Sequence, residues 1–272
     1  MPVFENDGRP LYYEVQGDGD PLLCVTGLSA DHFAWTLQVP AWSQRFKTIV
    51  MDNRDVGQSF RADGPYDVVD MARDTLALAD GLGLERFHLV GMSMGGTIAQ
   101  EVALAAPERV RTLTLVVTFA WGGRWARDFA RLWGRIAAQL TDEEHLDWLL
   151  LQAVSEEFYE NEQALGYVRN MMLANPFPQP RDAFIRQLDA TSCHDTRDRL
   201  GTLPMPLHVI GAGHDLLVPP WKSEEIATLV PGAQLTIVPR APHGLNLERA
   251  EEFNALVADF IASAQAPAPA SG

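Results

Sequence analysis

Leu89-Val90-Gly91-Met92-Ser93-Met94-Gly95-Gly96 decides the reading of this chain. The apolar run Phe87–Val90 leads straight into a G-x-S-x-G turn, and a helical pattern follows from Gly95 to Ala106, ended by Pro107. A strand that turns abruptly into a helix forces the residue at its apex into a strained conformation. Gly91 and Gly95 permit this, because a Cβ at either position would strike the neighbouring strand or helix. The strain lifts the Ser93 hydroxyl clear of the sheet, and the free N–H groups of the helix start favour negative charge at the same place. A bare G-x-S-x-G is a common chance pattern. The strand before it and the helix after it make it a nucleophile elbow.

Outward from this turn, short apolar runs recur at Leu22–Val25, Thr48–Met51, Leu113–Val117, Leu207–Ile210 and Leu235–Val238. Strands apolar on both faces belong in a sheet covered on both sides. Helical periodicity lies between them at Val68–Leu82, Glu224–Val230 and Leu247–Ala264. Val3–Glu5 and Leu11–Val15 flank Asn6-Asp7-Gly8-Arg9 as an N-terminal hairpin. Alternating strands and helices predict an α/β fold with a mostly parallel, doubly wound sheet and antiparallel strands at the N-terminus.

The alternation stops between Trp121 and Leu203. Helical patterns fall at Trp125–Leu140, Glu143–Ala153, Gln163–Ala174 and Arg181–Thr191, with no convincing strand. A stretch of that length exceeds any single crossover, so it reads as a helical cap inserted between two sheet strands. The expected division is a core of residues 1–120 and 204–264, a cap of 121–203, and a frayed Ala-Pro tail of 265–272.

A serine hydroxyl is a feeble nucleophile without a base, and the base needs an orienting acid. Of the seven histidines, His88 and His208 lie within strands and read as core. His145 and His194 fall in the insertion, and His32 follows the first parallel strand. His243, in Pro239-Arg240-Ala241-Pro242-His243-Gly244, directly follows the last strand. Loops at the carboxyl ends of parallel strands form the ligand crevice, so His243 is the candidate base. Asp215, in Gly211-Ala212-Gly213-His214-Asp215, ends the preceding strand and is the candidate acid; its bland alternative is a turn or helix-capping aspartate. Val25-Thr26-Gly27-Leu28-Ser29 ends the first parallel strand. There the Leu28 N–H could converge with the Met94 N–H on a developing oxyanion, and loss of one such donor costs about 2.7–4 kcal/mol of barrier.

The composition excludes several classes. With 21 basic and 36 acidic side chains the formal net charge is −15, a surface that repels phosphate backbones and anionic lipids. No apolar run approaches the roughly 18 residues needed to cross a bilayer. The start has no basic segment followed by an apolar one, so the expected home is the cytoplasm. Cys24 and Cys193 have no metal-ligand spacing and cannot form a multi-bridge framework.

These residues resemble the α/β-hydrolase fold superfamily, in particular the capped carboxylesterases and 3-oxoadipate enol-lactonase-like hydrolases. The matching pieces are Gly91-Met92-Ser93-Met94-Gly95-Gly96, Asp215, Pro242-His243-Gly244, and Asp52-Asn53-Arg54-Asp55-Val56-Gly57-Gln58-Ser59, which matches a D-x-R-G-x-G-x-S loop. The resemblance implies Ser93 as nucleophile, His243 as base, Asp215 as orienting acid, and Leu28 and Met94 as oxyanion donors. Two positions depart from the pattern. Thr26-Gly27 stands where the family usually has His-Gly, and Asp55 stands where many members have glycine. An R-D-x-G loop is similar to that of the anthracycline methyl esterases, a hint towards methyl esters. A serine at the elbow argues against dehalogenases and epoxide hydrolases of this fold, which carry aspartate there.

The expected activity is hydrolysis of a carboxylic ester or lactone through an acyl-enzyme, on a small-molecule substrate, with no metal or organic cofactor. No nucleic-acid or membrane partner is expected, and monomer and homodimer both stay open. Trp121, Trp125, Phe129, Trp133, Met171, Met172 and Phe177 are candidate pocket liners, though for each alone ordinary packing is the stronger reading. The same residues also suit acyl transfer, C–C bond hydrolysis or perhydrolysis. A ligand-binding receptor on a hydrolase scaffold is the alternative of another class.

Overall fold

The computed structural model describes residues 2–265. Eight strands form one sheet: β1 (Val3–Asn6), β2 (Arg9–Gln16), β3 (Asp20–Val25), β4 (Phe46–Met51), β5 (Phe87–Met92), β6 (Val110–Val116), β7 (Leu207–Ala212) and β8 (Gln234–Val238). Their order is β1-β2-β4-β3-β5-β6-β7-β8. β1 pairs β2, and β2 pairs β4, antiparallel; every other pairing is parallel. This is the doubly wound sheet with an N-terminal hairpin that the apolar runs predict.

Twelve α-helices and a 3-10 turn at His32–Trp35 complete the described residues. α1 (Val39–Trp42), α2 (Val68–Gly81) and α3 (Met94–Ala105) precede or connect the first strands. α4 (Gly123–Ala137), α5 (Asp142–Ala153), α6 (Glu156–Tyr159), α7 (Glu162–Leu173), α8 (Arg181–Ser192) and α9 (Arg197–Leu200) form the insertion between β6 and β7. α10 (Trp221–Leu229), α11 (Leu245–Glu248) and α12 (Ala250–Gln265) follow.

Strand alternation divides the core into two layers. Leu23 and Val25 of β3 face one apolar cluster with Met71 and Ala72 of α2, Ile98 and Val102 of α3, and Ile226 of α10. Leu22 and Cys24 face the opposite cluster with Trp35, Trp42 of α1, and Phe253, Val257 and Ile261 of α12. The insertion has apolar clusters of its own, one joining α4 to α8 and one joining α5 to α7. Its start and the stretch between α8 and α9 meet: Trp121 and Asp195 form an isolated antiparallel bridge. Arg197 lies over the Trp121 ring at 3.9 Å, and the Lys222 ammonium faces the same ring and hydrogen-bonds the Trp121 carbonyl.

Three details differ from the sequence reading. The helix expected over Leu247–Ala264 is two, because Arg249 leaves helical geometry (φ −123°, ψ 39°) between α11 and α12. The short helices α1, α6 and α9 have too few turns to show a period. The tail expected to fray from residue 265 begins with a residue still in α12, and the rest of it lies outside the described residues. Among the described residues no helix is long and apolar enough to cross a membrane.

Candidate active site

The chain winds from β3 to β4 on one side and returns to β5 on the other, so β3 and β5 are neighbours whose following loops diverge. A crevice at the carboxyl ends of the strands opens at such a reversal. Ser93 stands there, one residue beyond β5. Its backbone is left-handed (φ 56°, ψ −120°), a costly state for a residue with a Cβ. The strain is held from several sides. The Ser93 N–H donates to the Val116 carbonyl at 2.8 Å, and the Ser93 carbonyl accepts from Gly96 N (2.9 Å) and the Thr118 hydroxyl (2.7 Å). A Cβ on Gly91 would overlap the Gly95 carbonyl and approach Ala99, and one on Gly95 would overlap the Val25 and Thr26 carbonyls. Both glycines are therefore required by close backbone approach.

The loop after β3 meets the serine directly. A Cβ on Gly27 would lie 3.2 Å from Ser93 Cβ and 3.8 Å from its Oγ. Leu28 N and Met94 N flank this contact, and among the described residues neither N–H finds an acceptor. Thr26, where the resemblance leads one to expect histidine, is fixed by Asn53. Its amide nitrogen donates to the Thr26 carbonyl (3.2 Å) and hydroxyl (3.1 Å).

His243 and Asp215 are brought together, with Nδ1 to Oδ2 at 2.7 Å. The Asp215 carboxylate is completely buried, and its Oδ1 accepts from Leu217 N and Val218 N, both at 2.8 Å. The turn contacts and the His243 contact thus fall on different oxygens of one carboxylate. With Nδ1 engaged, Nε2 of His243 is the nitrogen left to face a substrate or a hydroxyl. Among the described residues no hydrogen bond joins His243 to Ser93 Oγ.

The other histidines are engaged or elsewhere. His32 Nδ1 contacts Asp52 Oδ1 at 2.8 Å. Burial disfavours its charged ring, but the hydrogen bond and charge of Asp52, with Asp31 and Glu14, outweigh burial and hold it above the usual range. His88 contacts Thr112 and Gln265, His208 contacts Thr236, and burial pushes both down to about 4. His194 contacts Gln100 and is pushed to about 3 by burial and Arg199. His145 lies in the α5 packing and His214 is exposed. Among the described residues no group of three or more His, Cys, Asp or Glu could hold a metal ion.

Of the residues expected to line a pocket, Phe129 and Trp133 belong to the α4–α8 cluster with Phe184 and Leu188. Leu28 of the loop after β3 and Leu217 beside Asp215 pack against that cluster. Trp125 stacks on Phe129 (centroids 5.1 Å apart) but is exposed, as are Met171, Met172 and Phe177. Trp121 sits at the foot of the insertion under Arg197.

Asp55 explains itself in the structure. Its φ of 70° is the left-handed state that favours glycine. The aspartate is accommodated because its completely buried carboxylate accepts two hydrogen bonds from Arg186 of α8, at 2.8 and 2.9 Å, and one from Ala62 N at 2.9 Å. Sequence reading passed over Arg186 and Gln187; a polar residue on a helix reads as solvent-facing until the surface it meets is known.

Residues 20–250 match the model of the alpha/beta hydrolase fold family. A relative from Azorhizobium caulinodans, provisionally named carbamate hydrolase RutD, is 30% identical over 261 residues, covering 96% of this chain and 98% of its own. The enol-lactonase from Burkholderia xenovorans superposes with a TM-score of 0.87 at 25% identity, covering 96% of this chain and all of that one. A thermophilic esterase from Thermogutta terrifontis gives a TM-score of 0.85 at 25% identity, with 95% of each chain covered.

Proposed function

The chain belongs to the alpha/beta hydrolase fold family, and on that premise we propose that it is a serine hydrolase of carboxylic esters or lactones. His243 Nε2 takes the Ser93 proton as Oγ attacks the carbonyl carbon. The Leu28 and Met94 N–H groups hold the tetrahedral oxyanion. The leaving alcohol collects the proton from His243, and an acyl-serine remains. Water, deprotonated by the same imidazole, then releases the acid and regenerates the hydroxyl. Asp215 keeps the ring in the tautomer with its proton on Nδ1 and stabilises the imidazolium that forms.

The reading is supported by the His243–Asp215 contact, on loops that follow β8 and β7 at the same carboxyl end of the parallel strands where a strained Ser93, backed by Gly27, follows β5. We also propose that residues 121–203 act as the cap, with residues 1–120 and 204–264 as the core. Leu28 and Leu217 pack into the cluster of Phe129, Trp133, Phe184 and Leu188, which favours a neutral, apolar acyl group. Kinship with a protein named as a carbamate hydrolase favours one variation, attack of the same hydroxyl on a carbamate carbonyl.

The test is a panel of p-nitrophenyl esters and carbamates, lactones and methyl esters, run on wild type and Ser93→Ala. The expected result is turnover that falls by about 10⁴-fold or more in the variant with an unchanged fold. Near-wild-type turnover in Ser93→Ala overturns the proposal. The ratio of ester to carbamate rates selects between the two carbonyls.

A further inference from the structure

We propose that Gln187, on α8 of the insertion, is a positioning residue for the oxyanion hole; this rests on the serine-hydrolase reading above. Gln187 is completely buried and every polar atom of its amide is used. Its Oε1 accepts from Ser29 N at 3.1 Å and from Gln179 Nε2 at 2.9 Å. Its Nε2 donates to the Arg54 carbonyl at 2.8 Å. Ser29 N–H can only donate and the Arg54 carbonyl can only accept, so a single orientation of the amide satisfies both.

Ser29 is one residue beyond Leu28 and holds a left-handed backbone (φ 62°), a conformation that requires external support in a residue with a Cβ. The Leu28 N–H therefore lies between two fixed points. On one side Gly27 is in contact with Ser93; on the other Ser29 N is pinned by Gln187. The pin is itself anchored. The residue before it, Arg186, makes the two-pronged ion pair with buried Asp55, and Gln179 Nε2 also donates to the Asp55 carbonyl at 3.1 Å. A helix of the insertion thus reaches through one side chain to the backbone that presents an oxyanion donor. The donor acts on charge that develops as the carbonyl is attacked, so misplacing it raises the barrier of the chemical step and leaves ground-state binding nearly alone.

The experiment compares Gln187→Met and Gln187→Ala with wild type on the best p-nitrophenyl ester. Displacement of a catalytic group by about 1 Å can cost about 100-fold. The expected result is a fall in kcat of about 10- to 100-fold with KM within about twofold. The affinity for phenylboronic acid, whose serine adduct places an oxygen in the oxyanion hole, should weaken by the same factor as kcat/KM. Arg169→Met, which removes ion pairs between α7 and α5 remote from Ser29, controls for a looser insertion: it should lower Tm and leave kcat and boronate affinity unchanged. The Ala variant leaves room for water at the Arg54 carbonyl, and so carries the test where Met does not fold. Unchanged kcat in either folded Gln187 variant overturns the inference, as does a boronate affinity that does not move with kcat/KM. Ser93→Ala, assayed alongside, separates the two failures: turnover surviving there sinks the hydrolase reading, whereas an inactive Ser93→Ala with a normal Gln187 variant sinks this inference alone.

Discussion

The His243 ring and the Asp215 carboxylate, contributed by loops after β8 and β7, meet at 2.7 Å with the carboxylate sealed from solvent. A buried acceptor on Nδ1 fixes which nitrogen of the imidazole carries the proton. Asp215→Asn keeps the shape but offers an amide that can donate to Nδ1 and so favours the wrong tautomer. The expected outcome is a loss of about 10⁴-fold in kcat with little change in Tm. Steady-state kinetics with a thermal melt checks it, and a variant within tenfold of wild type would remove Asp215 from its assigned role.

The strain at Ser93 has a stability counterpart. A non-glycine residue at φ 56° carries about 1–3 kcal/mol, partly offset in glycine by greater freedom of the unfolded chain. Ser93→Gly is therefore expected to raise stability by about 1 kcal/mol while turnover disappears. A shift in Tm of about 2 °C upward is the measurable sign, and a lower Tm than wild type contradicts it.

Among the described residues, Arg186 is the only charged partner of the Asp55 carboxylate. Arg186→Met leaves that buried carboxylate without a countercharge, at an expected cost of about 3–5 kcal/mol. The double variant Asp55→Gly with Arg186→Met removes the orphaned charge and puts glycine where φ is 70°. It should recover much of the loss. Denaturant unfolding of the three proteins decides it: a double variant no more stable than the single one refutes the account.

His145 gives a pH dependence with a definite sign. Its ring packs edge-on against Phe184 (centroids 4.6 Å apart), and neither ring nitrogen has a partner among the described residues. Burial pushes its pKa down to about 4; the Arg181 charge adds to this, and Asp142 opposes it. The unfolded value is about 6.5. Between those values the unfolded chain binds the proton and the folded chain does not, so this contribution is complete above pH about 6.5 and is lost as pH falls towards about 4. His145→Leu should flatten the decline of Tm over that window. His88, His194 and His208 keep their share of the slope, and His32, held above its ordinary value, works in the opposite direction. Parallel Tm profiles for variant and wild type would exclude the effect.

How much could be read without coordinates depended on where a residue's partners lie along the chain. The strands were legible because burial on both faces writes a continuous apolar run, as in Leu22–Val25. Ser93, Asp215 and His243 were legible because each directly follows such a run. The strand order was not, since β4 lies outside β3 through pairings no local pattern records. Gln187 and Arg186 were invisible for a related reason. Their partners Ser29, Arg54 and Asp55 are more than 130 residues away, and only the docking of α8 turns two ordinary polar helix residues into buried ones. Asp55 showed itself as an exception, but its left-handed backbone and its partner emerged together.

The bridge between Trp121 and Asp195 has a consequence for chain length. A segment that departs and rejoins at adjoining points makes a closed excursion, so a change of its length between those points need not shift any strand. Whatever its length, it must still deliver an amide to Ser29, so that freedom is bounded by a single side chain.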